Sequence, residues 1–100
     1  MKFIITIMLF ATLSVAAVAS EEDDACGATL CLAGEMKGDS GGSACNDYIR
    51  QYFSIVEKHH GSFNPARTAE KRMDFLRQCP SGDSGTQQQV NDRYGTQRDL

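Results

Sequence analysis

Apolar positions fall in four blocks along the chain, separated by stretches of Gly, Ser and charge. The first block, Phe3 to Val18, is uncharged and rich in Ile, Leu, Phe, Val and Ala. Lys2 precedes it, Ala17-Val18-Ala19 closes it with a small-x-small site, and Glu21-Glu22-Asp23-Asp24 follows. This order predicts a secretory signal peptide over residues 1–19, cleaved after Ala19. The apolar run falls short of the roughly 20 residues that span a bilayer, so no stable membrane insertion is expected after cleavage. A lipoprotein anchor is not expected either, because Cys26 follows Asp23-Asp24-Ala25 and not a small apolar tripeptide.

Residues 20–24 read as a mobile acidic leader. The second block, Ala25 to Met36, predicts a short, largely buried helix with Asp24 as N-cap. Its Ala28, Leu30, Cys31, Leu32 and Ala33 are too dense for a single amphipathic stripe, and Gly34 and Gly38 weaken its end. Lys37 to Ala44 is a Gly/Ser loop. A second helix is predicted from about Asp47 to Lys58, with Tyr48, Ile49, Tyr52, Phe53 and Val56 on one face and Ser43 or Asn46 as cap. Gly61 reads as its C-cap. Asn64-Pro65 opens a third helix, whose stripe is Ala69, Arg72 or Met73, Leu76 and Cys79, and Pro80 ends it. From Ser81 to Leu100 the chain is dominated by Gly, Ser, Gln, Asn and Asp, with one Val and one Tyr, which predicts a flexible tail. The expected fold is all-α: about three short helices in a single domain over residues 25–80, stapled by two disulfides.

The staples follow from size and compartment. Cleavage after Ala19 leaves 81 residues and all four cysteines, Cys26, Cys31, Cys45 and Cys79. An even count in a short exported chain points to disulfides, and a domain this small needs them. Each would stabilise by about 2–4 kcal/mol. Four cysteines allow three pairings. In an up-down-up bundle the start of the second helix lies near the end of the third, which favours Cys45–Cys79 with Cys26–Cys31. Cys26–Cys79 with Cys31–Cys45 would tie down the first helix better, and both pairings stay open. A zinc site is not expected, since no Cys-x2-Cys pair occurs. Nor is any cofactor.

Charge removes another class. The mature chain has nine Lys and Arg against thirteen Asp and Glu, a formal charge of −4. Nucleic-acid binding, which rests on cation–phosphate contacts, is therefore not expected.

Gly38-Asp39-Ser40-Gly41-Gly42 matches the string around the nucleophile of trypsin-like proteases. That chemistry needs a histidine base and an acid brought to the serine. Both precede the serine in those enzymes, whereas His59 and His60 follow Ser40, and the chain is too short for a double β-barrel. A tight loop between two half-cystines is the better reading, and Gly-Asp-Ser-Gly recurs at Gly82 to Gly85. Glu35 with Asp39 could be a glycosidase pair only if a cleft separated them. His59-His60 lacks a third metal ligand. Tyr48, Tyr52, Phe53 and Phe75 read as core.

Three stretches carry a family likeness: Ala25-Cys-Gly-Ala-Thr-Leu-Cys-Leu-Ala-Gly-Glu-Met-Lys-Gly, Ser40-Gly-Gly-Ser-Ala-Cys and Tyr48-Ile-Arg-Gln-Tyr-Phe-Ser-Ile. Gly61-Ser-Phe-Asn-Pro-Ala-Arg-Thr, Arg72 and Phe75-Leu-Arg-Gln-Cys-Pro continue it. From Ala25 to Pro80 the chain resembles the TrbM/KikA family of conjugal transfer proteins. The resemblance implies a plasmid-encoded, exported accessory of a mating-pair (type IV secretion) apparatus. It lends the four cysteines as a framework, Gly34, Gly38, Gly41 and Gly42 as turns, and Arg67, Thr68 and Arg72 as polar marks of the third helix. The expectation is a non-enzymatic periplasmic protein that binds a component of the secretion channel or pilus. Arg50, Lys58, Arg67 and Arg72 are the expected contact residues. A host-directed periplasmic toxin or inhibitor is the alternative, and a cell-wall hydrolase a more distant one.

Overall fold

The dense apolar block of residues 25–36 folds as the central helix of the protein. In the computed structural model, which describes residues 16–39 and 41–100 (side chains from residue 21 onward), helix α1 spans Ala16–Met36. The expected signal peptide lies outside the described residues up to position 15, and its last four positions open α1. The acidic leader is not a separate mobile segment. Residues 20–24 are continuous with α1.

Ala25, Ala28 and Leu32 share one face of α1 and are fully buried. Gly27 lets α2 approach closely: a β-carbon there would overlap the ring of Tyr48. At the C-terminus, Gly38 has φ 83°. Gly38 N–H donates to the Glu35 carbonyl at 3.0 Å and Asp39 N–H to that of Gly34 at 2.9 Å. This is a Schellman stop, which needs a left-handed residue just past the helix.

Helix α2 spans Ser43–Ser54, starting and ending earlier than the pattern predicts. Its end is set by Ile55-Val56, a β-branched pair that favours extended backbone. Ile55 adopts φ −75°, ψ 105°. The chain then forms a small antiparallel hairpin, β1 Lys58–His59 against β2 Ser62–Phe63. Its two-residue turn, His60-Gly61, has φ 51° and 78°. Both are positive, as a primed hairpin turn demands. Gly61 therefore turns a hairpin and does not cap a helix.

Helix α3 spans Pro65–Leu76 and begins as the sequence predicts: Asn64 Oδ1 accepts from Arg67 N–H at 3.0 Å, with Pro65 in the first turn. Helix α4 spans Ser84–Tyr94 and replaces the expected flexible tail. Asp83 caps it, its carboxylate accepting from Thr86 N–H at 3.0 Å and Thr86 Oγ1 at 2.9 Å. Those hydrogen bonds, the hydroxyl first, hold the Asp83 carboxyl below its ordinary pKa. The helix packs because Val90 and Tyr94 complete the core, with Ala28, Leu32, Tyr52, Met73 and Leu76. Phe53 lies edge-on to both Tyr52 and Tyr94, at centroid distances of 5.1 and 6.1 Å. The fold is thus all-α in character, with four helices among the described residues.

Two disulfides close the frame: Cys26–Cys79 joins α1 to the end of α3, and Cys31–Cys45 joins α1 to α2. Of the two pairings open on sequence, this is the one that ties down the first helix. Positions five apart on a helix are turned by about 140° from each other. The two sulfurs therefore leave α1 in different directions, each toward a different neighbour.

Candidate docking face and the buried arginine

Arg72 is not a surface contact residue. It is fully buried. Its Nε donates to the Ile55 carbonyl at 3.1 Å, and Nη2 to that of Phe53 at 3.4 Å. Nη1 donates to the carbonyls of Tyr94 at 2.9 Å, Gly95 at 3.2 Å and Gln97. Phe53 and Ile55 flank the end of α2, and Tyr94 to Gln97 carry the end of α4. Helix C-termini leave carbonyls unpaired and bear partial negative charge, so one cation caps two helices at once. The guanidinium also lies 5.1 Å from the ring centre of Tyr52 and 4.8 Å from that of Phe53. Burial pulls the Arg72 pKa below its ordinary value, an effect that Tyr52 opposes.

A polar layer continues from this hub. Tyr52 Oη donates to Asn91 Oδ1 at 2.8 Å, and Asn91 Nδ2 donates to the Ala69 carbonyl at 2.9 Å. Gln87 Nε2 donates to the Leu76 carbonyl at 2.9 Å, at the end of α3. Burial pushes the Tyr52 hydroxyl well above its ordinary pKa, with Arg72 opposing. These side chains bind the molecule to itself.

The remaining expected contacts are exposed but dispersed: Arg50 on α2, Lys58 on β1 and Arg67 on α3. Arg50 pairs with Asp47 at 3.5 Å, both well solvated, a geometry of little energetic weight. Ser40, the serine of the protease-like string, lies outside the described residues. His59 and His60 sit on the exposed hairpin.

The open apolar surface lies elsewhere, on the outer side of α1. Leu30 is 75% exposed and Met36 41%. Leu30 lies about 160° around the helix from fully buried Ala28 and Leu32, so it points away from the core. Over residues 25–36, α1 is otherwise buried or half-buried, as expected, and Leu30 and Met36 are its two exposed positions there. Its apolar excess, visible in the sequence as density on more than one face, marks this surface.

Beside Leu30, a hollow of about 280 Å³ runs between α1 and the start of α4, floored by Cys26 and Cys79 and edged by Asp83 and Thr86. Thr86 also lines a smaller hollow of about 170 Å³ with Ala33, Met36, Lys37 and Gln89. The two hollows share Thr86 and together make a shallow groove along the α1–α4 seam, Leu30 and Asp83 lining the larger hollow and Met36 and Lys37 the smaller. The sequence reading missed the groove because α4 forms its far wall.

A small helical domain held by two disulfides, with an apolar groove on one face, is the class that fold and surface define. A family model, TrbM, matches residues 19–96, and the chain belongs to the TrbM family, whose members are related to conjugal transfer. The match runs past Pro80 and takes in α4. No match was found among curated proteins or among solved structures. Among the described residues no helix is long and apolar enough to cross a membrane.

Proposed function

We propose that this protein is a non-enzymatic, exported accessory of plasmid conjugation. It acts in the periplasm by docking on a protein component of the secretion channel or pilus. The observation that carries this reading is Leu30, three-quarters exposed beside the α1–α4 groove on a helix stapled to α2 and to the end of α3. Exposed apolar clusters on small soluble domains mark contact surfaces, and rigid presentation lowers the entropic cost of binding. Family membership supplies the conjugal setting, and the two disulfides fit an oxidising compartment. The occupant is an apolar segment of the partner laid along the groove. Arg50, Lys58 and Arg67 offer charged contacts outside it.

The test is transfer frequency of a plasmid with this gene deleted in frame, complemented by the full chain, by a form lacking residues 1–19, or by Leu30→Asp with Met36→Asp. The full chain is expected to restore transfer and the form lacking residues 1–19 to fail. The double variant is expected to accumulate at the normal level and thermal midpoint yet lower transfer at least tenfold, the factor that corresponds to about 1.4 kcal/mol of lost binding. Full transfer by a stable double variant would remove the groove from the proposal. Unchanged transfer on deletion would remove the conjugal role.

A further inference from the structure

The four cysteines are joined in a nested order. Numbered along the chain, the first pairs with the fourth (Cys26–Cys79) and the second with the third (Cys31–Cys45). An exported chain presents its cysteines to the oxidising compartment in sequence order, so Cys26 meets Cys31 long before Cys79 arrives. Proximity favours the same wrong partner. Loop-closure statistics put closure over 5 positions ahead of closure over 53 by on the order of thirty-fold.

A Cys26–Cys31 bond is incompatible with the native fold. In α1 their α-carbons would stand about 9 Å apart, from five steps of rise and rotation. A disulfide spans at most about 7 Å. The bridged chain must keep α1 unwound between these residues, and Ala28, fully buried in the core, lies inside the unwound stretch. With Cys26–Cys31 and Cys45–Cys79 both closed, all four cysteines of the chain are used and no thiol remains to start an internal exchange. Such a species cannot reach the native pairing by itself.

We propose that the protein is an obligate substrate of a dithiol disulfide isomerase in the compartment where it folds. The exchange needs no net oxidant. A thiolate of the isomerase attacks the Cys31 sulfur of Cys26–Cys31, forming a mixed disulfide and releasing the Cys26 thiolate. That thiolate attacks the Cys79 sulfur of Cys45–Cys79, forming Cys26–Cys79 and releasing the Cys45 thiolate. The Cys45 thiolate attacks Cys31 in the mixed disulfide, forming Cys31–Cys45 and returning the isomerase thiolate. Three bonds form, three break, and the thiol count is unchanged. The inference rests on export to an oxidising compartment and is independent of the docking role.

The test uses the mature chain, reduced and unfolded, then oxidised rapidly with and without a purified dithiol disulfide isomerase. Connectivity is read by peptide mapping under non-reducing conditions. Without isomerase, the isomer with Cys26–Cys31 is expected to accumulate. With isomerase, native pairs are expected to form at least tenfold faster. A second chain carrying Cys31→Ser and Cys45→Ser leaves Cys26 only Cys79 as partner, and its oxidation is expected to be indifferent to the isomerase. Equal rate and yield of native pairs in both arms would overturn the proposal. So would an accumulating isomer in which Cys26 is not bonded to Cys31, or an isomerase requirement that persists in the two-cysteine chain. Because no step reads conjugation, failure here leaves the transfer experiment untouched.

Discussion

Arg72 shows how a charge can be held inside a small protein without a carboxylate. Its five acceptors are backbone carbonyls at the ends of two helices, so the side chain does for α2 and α4 what water would otherwise do. Removing it strips those carbonyls of their donors in a dry site. Arg72→Met is expected to destabilise by about 3 kcal/mol in urea denaturation, the range for orphaned buried polar groups. Arg72→Lys is expected to recover less than half of this, because a single ammonium cannot match the fork of a guanidinium. Tyr52, beside it, gives a pH signature. Its folded pKa lies above the ordinary 10.0. The folded state therefore holds this proton more tightly than the unfolded state does. The resulting stabilisation is complete below about pH 10 and declines as pH rises beyond it. Tyr52→Phe is expected to cost about 1–2 kcal/mol at neutral pH, from the orphaned Asn91 oxygen, and to flatten the alkaline loss. Urea midpoints across the alkaline range would show both effects.

Among elements, α4 is the instructive case. Gln87, Val90, Asn91 and Tyr94 are its buried residues, spaced as one helical face. Two of the four are amides that bond to carbonyls and a hydroxyl of neighbouring elements. A hydrophobicity pattern cannot register that face, because half of it becomes inward-facing only once α2 and α3 supply the partners. The start of α3 was legible for the opposite reason: its cap and its proline act locally. The end of α2 was misjudged because Val56 keeps helical spacing, while the Ile55 backbone turns extended and gives its carbonyl to Arg72. Arg72 was half-legible, since its place on the inner stripe of α3 was readable but not its burial. Deleting residues 81–100 is expected to abolish the cooperative thermal transition of the protein, whereas loss of a flexible tail would leave it in place. Calorimetry of the shortened chain distinguishes the two.

At the scale of the molecule, the disulfides make α1 the common strut. They close loops of very different length, with sequence separations of 53 and 14. Restriction of the unfolded chain alone would make Cys26–Cys79 worth about 4 kcal/mol and Cys31–Cys45 about 3 kcal/mol. Replacing each pair by serines is therefore expected to destabilise in that order, as read by urea midpoints of the two variants. The same strut carries the exposed Leu30, so the proposed docking face is held by the covalent frame and not by a loop.

Arg72 takes one of its acceptors from Gln97, three residues short of Leu100. The hub that locks α2 to α4 cannot close until Gln97 has been delivered, long after α1 and α2. A chain built this way has no early point at which its N-terminal helices can settle into a finished, threading-resistant domain. α1 and α2 stay unlocked while the rest of the fold is delivered, and the turn of backbone after α4 is the one that turns the lock.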